Sequence, residues 1–233
     1  MESRSISLER SKYKALPLVQ QTEKWDCGLC CLSMVLSGIN KPNSALPDLK
    51  KMHFGTVVWT INLAYLLKDF QVPALCYTIQ KEISANYETD IFSLQQDAPE
   101  RATFERALGM AKQRVVDAEK DGIELIEREL SAEELKGAVL AGHVAILLIN
   151  SMYFACLECN PSHFNGDTFC VLPINGAAYR GHYIVLCGYN ADHNCYIIKN
   201  PSSSQPYCFL PLPLLESSRK SFGTQQNILL INI

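Results

Sequence analysis

Asp26-Cys27-Gly28-Leu29-Cys30-Cys31-Leu32-Ser33-Met34-Val35-Leu36-Ser37-Gly38 is the stretch on which the fold turns. Wound as a helix, it is apolar on nearly every face, with only Gly28, Ser33 and Ser37 interrupting. Such a helix belongs inside a domain rather than on its surface. Asp26 stands where an N-cap is wanted, and Gly38 where a left-handed stop is wanted. Cys27 then falls in the first turn, where unpaired backbone N–H groups and the helix dipole favour a thiolate.

The chain around it has 233 residues, 48% of them hydrophobic, and a formal net charge of −3. That apolar fraction can build a full core and excludes global disorder. With 21 Lys+Arg against 24 Asp+Glu, a nucleic-acid partner is not expected. The longest apolar run, Val144 to Asn150, is strand-sized, well short of the roughly 18–20 residues that span a bilayer, so no membrane partner is expected either. Met1 to Arg10 alternates charge and polarity without the apolar stretch of a signal peptide, which makes a cytoplasmic, reducing setting the expectation. Ten cysteines there would be thiols, metal ligands or catalysts rather than a disulfide framework. Cys76 and Cys187 lie inside apolar segments and read as buried small hydrophobes.

Outward from the central helix, residues 1–16 read as a flexible lead-in and 17–233 as one domain. Helices are expected over Leu46–Met52, from Thr60 (as cap) to Phe70, and from Pro99 to Lys120 with Gly122 as stop. Pro73–Ile79 and Ile123–Leu130 read as strands, with polar loop over 80–98 between the first strand and the long helix. Ser131-Ala132-Glu133-Glu134 is a capping box opening a helix that stops at Gly142, and His143–Ile149 reads as a buried strand. Residues 151–178 are an irregular Cys-rich insertion. Strands His182–Tyr189 and Tyr196–Lys199, a helix at Leu214–Ser221 and a strand at Asn227–Ile233 follow. Early helices and late hairpin-linked strands predict an α+β domain with helices on a mainly antiparallel sheet.

In an antiparallel hairpin the start of one strand lies beside the end of the next, so His182 and Asn200 are expected as neighbours. The Asn carbonyl would accept one imidazole N–H, leaving the other ring nitrogen for a thiol. Gln21, six residues before Cys27, would share an oxyanion-binding role with the Cys27 amide. His143 also opens a strand, but its strand ends at Asn150 about 20 Å away, so those two cannot meet. His53, His163 and His193 have no matching partner in the sequence.

Gln21 to Val35, Gly181-His182-Tyr183-Ile184-Val185 and Asn200-Pro201 together resemble papain-like cysteine peptidases of the bacteriocin-processing C39 type. The likeness is closer to the eukaryotic branch of guanylyl cyclase domain-containing proteins, through Trp59 to Leu67, Gly142 to Ile146 and Ser221 to Leu230. The resemblance spans Pro17 to Ile233 and implies a papain-like fold with Cys27 as nucleophile, His182 as general base and acid, Asn200 as orienting group and Gln21 as oxyanion donor. Two departures stand out: Asn200 occupies a position that C39-type chains usually fill with Asp, and Thr224-Gln225-Gln226-Asn227 is neutral where the family has acidic residues.

The expectation is thus a cysteine hydrolase acting on a peptide or protein substrate, with no cofactor required. Two alternatives are a guanylyl cyclase, which would use GTP with Mg²⁺ or Mn²⁺, and a non-catalytic binding module. In the insertion, Cys156, Cys159, His163 and Cys170 have a composition compatible with a zinc knuckle, and the alternative reading is free thiols in a loop.

Overall fold

The apolar run at 144–149 lies in the middle of the sheet, and its side chains show why no polar residue interrupts it. Val144, Ile146 and Leu148 enter one hydrophobic cluster, while Ala145, Leu147 and Ile149 enter a second on the opposite face. Both faces are covered, so alternation with polar residues would bury unpaired groups. The structure is a computed structural model and describes residues 8, 11–83, 98–157 and 179–233.

In chain order the elements are β1 (Lys12–Tyr13), α1 (Cys27–Gly38), α2 (Leu46–Met52), α3 (Thr60–Asp69), β2 (Ala74–Thr78), α4 (Ala98–Asp117), β3 (Glu124–Glu127) and α5 (Ala132–Leu140). Then come β4 (Val144–Asn150), a 3-10 turn (Ser151–Tyr153), β5 (Gly181–Asn190), β6 (Cys195–Lys199), β7 (Cys208–Pro211), α6 (Leu212–Arg219) and β8 (Ile228–Ile231). The strands run in the order β3-β2-β8-β4-β5-β6-β7, with β1 added to β5. Among the described residues only β2 and β3 pair in parallel; the remaining ladders are antiparallel. Residues of α1 to α4 pack on one face, those of α5 and α6 on the other. The α+β architecture expected from the sequence is the one found, and among the described residues no helix is long and apolar enough to cross a membrane.

Several local expectations are corrected. Gly38 ends α1 with ordinary helical backbone, and the left-handed residue is Asn40 (φ 56°). Gly38 is needed for another reason: a Cβ there would collide with the Leu16 side chain. Thr60 is the first residue of α3 rather than its cap, and its hydroxyl is spent on the Tyr183 hydroxyl at 2.9 Å. Two short strands went unrecognised, β1 inside the lead-in and β7 after the Pro/Ser segment. β1 fits because the β5–β6 register shifts between Leu186 and Gly188, and Gly188 lets the Lys12–Tyr13 backbone approach. The capping box is present in full, Ser131 accepting from the Glu134 amide and Glu134 from the Ser131 amide. Cys76 and Cys187 are buried as expected. Residues 84–97, the bulk of the expected polar loop, lie outside the described residues, as do 158–178 of the insertion.

Candidate active site

Cys27 opens α1, and the loop leading into it is held by a single buried carboxylate. Asp26 makes no capping bond, contrary to the sequence expectation. Its fully buried side chain instead reaches back, and Oδ2 accepts from the Thr22 amide (3.3 Å), the Thr22 hydroxyl (2.9 Å) and the Glu23 amide (3.2 Å). Lys50 of α2 completes the cluster with its ammonium 2.7 Å from Oδ2 and 2.8 Å from Thr22 Oγ1. Burial pushes the Asp26 carboxyl up, but Lys50, the Thr22 hydroxyl and the two amides outweigh it, and its pKa lies below the ordinary carboxylate value. The turn from 22 to 26 is therefore locked, which sets where Gln21 and Cys27 stand relative to each other.

The second half of the site comes from the sheet. Gly181 and His182 start β5, opposite Asn150 and Ile149 of β4. Asn200 follows the last residue of β6, and the hairpin brings its Oδ1 to 2.9 Å from His182 Nε2, the neighbour relation the register predicts. The two halves meet where the Gln21 amide donates to the Pro201 carbonyl at 2.9 Å. Ser202 adds a side-chain link, its hydroxyl donating to Gln21 Oε1 at 2.8 Å and lying 3.4 Å from His182 Nε2, while its amide donates to Asn200 Oδ1 at 3.0 Å.

The Cys27 thiol, almost fully buried, sits against the backbone N–H of Tyr183, the residue after His182. Gly28 permits this approach, because a Cβ there would already stand 3.0 Å from the Tyr183 ring and 3.0 Å from Val58. Strand parity puts His182 on the side of Ile184 and Leu186, whereas Tyr183 faces α1. Among the described residues no hydrogen bond joins the His182 ring to the Cys27 sulfur; the ring's partners are Asn200 Oδ1 and Ser202 Oγ, and its route to the thiol runs round the first residues of β5.

Burial raises the Cys27 pKa, helped by the neighbouring Asp26 charge and opposed by the Tyr183 and Gly28 amides. Burial lowers that of His182, opposed by the bond to Asn200. Both shifts favour the uncharged forms, so the ground state these surroundings support is a neutral thiol and a neutral imidazole rather than an ion pair. A base of this kind acts by taking the proton during attack.

Two other histidines stand apart from this pair. His53 Nε2 lies 3.1 Å from the Val57 carbonyl and its ring stacks on Trp25. His143 precedes β4 and Asn150 ends it, so the two stand at opposite ends of one strand as expected. Cys156 is buried, its sulfur accepting from the Phe209 amide at 3.4 Å; Cys159, His163 and Cys170 lie outside the described residues. Ser202 and Lys50 were not singled out in the sequence. For Ser202 a signal existed: Asn-Pro-Ser is a turn in which the Asn side chain bonds the amide two residues on. For Lys50, on a separate helix, there was none.

Comparison with known proteins adds three findings. A family model described as guanylylate cyclase matches residues 16–231. Guanylyl cyclase 1 of Arabidopsis thaliana is 31% identical over 231 residues, covering 99% of this chain and 80% of that protein. The crystal structure of a candidate C39-like peptidase from Bacillus anthracis superimposes with a TM-score of 0.54 over 97% of this chain and 98% of that one, at 15% identity, a likeness of fold.

Proposed function

The chain belongs to the guanylylate cyclase family, and from that premise and the site geometry we propose that it is a papain-like cysteine hydrolase acting on peptide or amide bonds. The observation that carries this reading is the His182 Nε2–Asn200 Oδ1 bond of 2.9 Å, clipped through Gln21 and Pro201 to the loop that delivers Cys27 to a helix start. Asn200 Oδ1 accepts a hydrogen bond from Nε2–H, so Nδ1 is the ring nitrogen left to act as base. As the Cys27 sulfur attacks a carbonyl carbon, Nδ1 takes the thiol proton, and negative charge gathers on the carbonyl oxygen. The Cys27 amide and the Gln21 side-chain amide are the donors for that oxygen. Cleavage of the C–N bond passes the proton from His182 to the leaving amine and leaves a thioester on Cys27. Water, deprotonated by the same nitrogen, then releases the acid and restores the thiol. Neutral Asn200 orients the ring without stabilising the imidazolium as a carboxylate would, which favours a modest rate.

A second reading, guanylyl cyclase activity, is favoured by the identity to guanylyl cyclase 1 across nearly the whole chain. Such chemistry uses Mg²⁺ or Mn²⁺, and among the described residues no three His, Cys, Asp or Glu side chains gather as a metal site. The experiment exposes the purified protein to an activated acetyl ester and, separately, to GTP with each metal ion. The hydrolase reading expects an acetyl group on Cys27 that turns over and is lost in Cys27→Ala. Cyclic GMP formed by the pure protein without any Cys27 acylation would replace it with the cyclase. Neither product would leave a binding module.

A further inference from the structure

The polar contacts around His182 have a direction that can be worked out from two backbone groups, neither of which can be reversed. The Glu23 carbonyl can only accept, so the end of the Gln21 side chain 3.0 Å from it is the NH2 group. The other end is therefore the carbonyl oxygen, and the Ser202 hydroxyl 2.8 Å away must donate to it. The Ser202 amide can only donate, so the end of Asn200 that it meets at 3.0 Å is the oxygen. His182 Nε2, 2.9 Å from that oxygen, must then carry the hydrogen. With its own proton committed to Gln21, the Ser202 hydroxyl can only accept from Nε2 at 3.4 Å. The chain of side-chain bonds runs one way, from His182 through Ser202 and Gln21 to Glu23, and among the described residues Ser202 is the side chain that links the ring to Gln21.

We propose that Ser202 is a positioning residue of this site, its hydroxyl turning the Gln21 side chain so that the amide end faces the Cys27 loop as an oxyanion donor. One Gln21 N–H goes to Glu23, and the second has no acceptor among the described residues, which is the state a donor kept for a transient oxyanion requires. Without the Ser202 hydroxyl the Gln21 amide keeps a single side-chain bond and is free to turn over, exchanging a donor for an acceptor at the loop that leads into Cys27. The inference rests on the hydrolase reading for its chemistry, but the positioning itself is measurable without any turnover.

Ser202 is exposed, so Ser202→Ala leaves the fold intact and removes only the hydroxyl. Two readouts separate the outcomes. The ¹⁵N–¹H signals of the Gln21 side-chain amide, assigned through Gln21→Ala, should show dispersed shifts and the ¹⁵N relaxation of a rigid group in the wild type, and the shifts and fast relaxation of a mobile side chain in Ser202→Ala, with Ser202→Thr like the wild type. In parallel, acetylation of Cys27 by an activated ester passes through an oxyanion, whereas alkylation by iodoacetamide does not. Ser202→Ala should slow acetylation about tenfold and leave alkylation within twofold; Ser202→Thr should restore acetylation, and Gln21→Ala should be no worse when combined with Ser202→Ala. An unchanged Gln21 amide in Ser202→Ala overturns the positioning role whatever the activity. A loosened amide with acetylation unaffected, or with acetylation and alkylation slowed alike, overturns the oxyanion role. A wild type that is not acetylated at all overturns the hydrolase reading and the oxyanion role with it, and the amide signals still decide the positioning.

Discussion

Replacing Asp26 by Asn removes a charge that four contacts converge upon, and the structure lets the cost be worked out. Oδ2 accepts from two amides and a hydroxyl and lies 2.7 Å from the Lys50 ammonium, all at a fully buried position. Breaking a buried pair by neutralising one partner costs about 3–5 kcal/mol when the other is left stranded. Here Lys50 is a quarter exposed and can turn its ammonium to water, so Asp26→Asn should cost less, about 2–3 kcal/mol. For a chain of this size that is a fall in Tm of about 4–12 °C. The reverse substitution is the harsher one: Lys50→Met leaves a carboxylate at 0% exposure without its counterion and should cost about 3–4 kcal/mol. The sign with pH is determined as well. The folded pKa of Asp26 lies below its ordinary 3.8, so its stabilisation is present above that value and is lost as pH falls through the folded pKa. Urea titrations of wild type, Asp26→Asn, Lys50→Met and the double variant from pH 8 down to pH 3 are the assay. The wild type should keep a constant advantage over Asp26→Asn above about pH 5 and lose it progressively from about pH 4 downward. A Lys50→Met variant no less stable than Asp26→Asn, or an advantage that widens on acidification, would refute the reasoning.

Three shorter expectations follow from the same geometry. Gly188→Ala drives a Cβ into the Lys12–Tyr13 backbone and should detach β1, costing about 1–3 kcal/mol and opening the first residues to limited proteolysis. Asn200→Asp sets a carboxylate against His182, whose pKa burial holds below 6.5; the acid limb of Cys27 alkylation should move to higher pH, measured by labelling rate against pH. Ser131→Ala removes one half of the capping box at α5 and should cost about 1 kcal/mol by thermal denaturation, with Cys27 labelling untouched.

Elements with a strong internal period were readable from the sequence because their partners are local. The all-round apolar helix at Cys27, the capping box at Ser131 and the buried strand at 144–150 each carry their reason within a dozen residues. β1 and β7 did not, since a two-residue strand beside a bulge and a four-residue strand after prolines exist only through what they pair with. The site divides the same way. His182 and Asn200 could be paired through hairpin register, a rule of spacing. Asp26 was misread because a cap and an inward hub share one residue type at one position; only Lys50, on another helix, tells them apart. Gly38 was assigned a backbone role when Leu16, more than twenty residues earlier, was the constraint.

The central claim is that the His182 imidazole serves the Cys27 thiol, and the rate of Cys27 alkylation at neutral pH in wild type against His182→Ala measures it most directly. Burial holds the unassisted thiol above its ordinary pKa, so the account predicts a fall of about a hundredfold when the ring is removed, with most of the difference gone at strongly alkaline pH. Equal labelling of the two proteins across the whole pH range would contradict it.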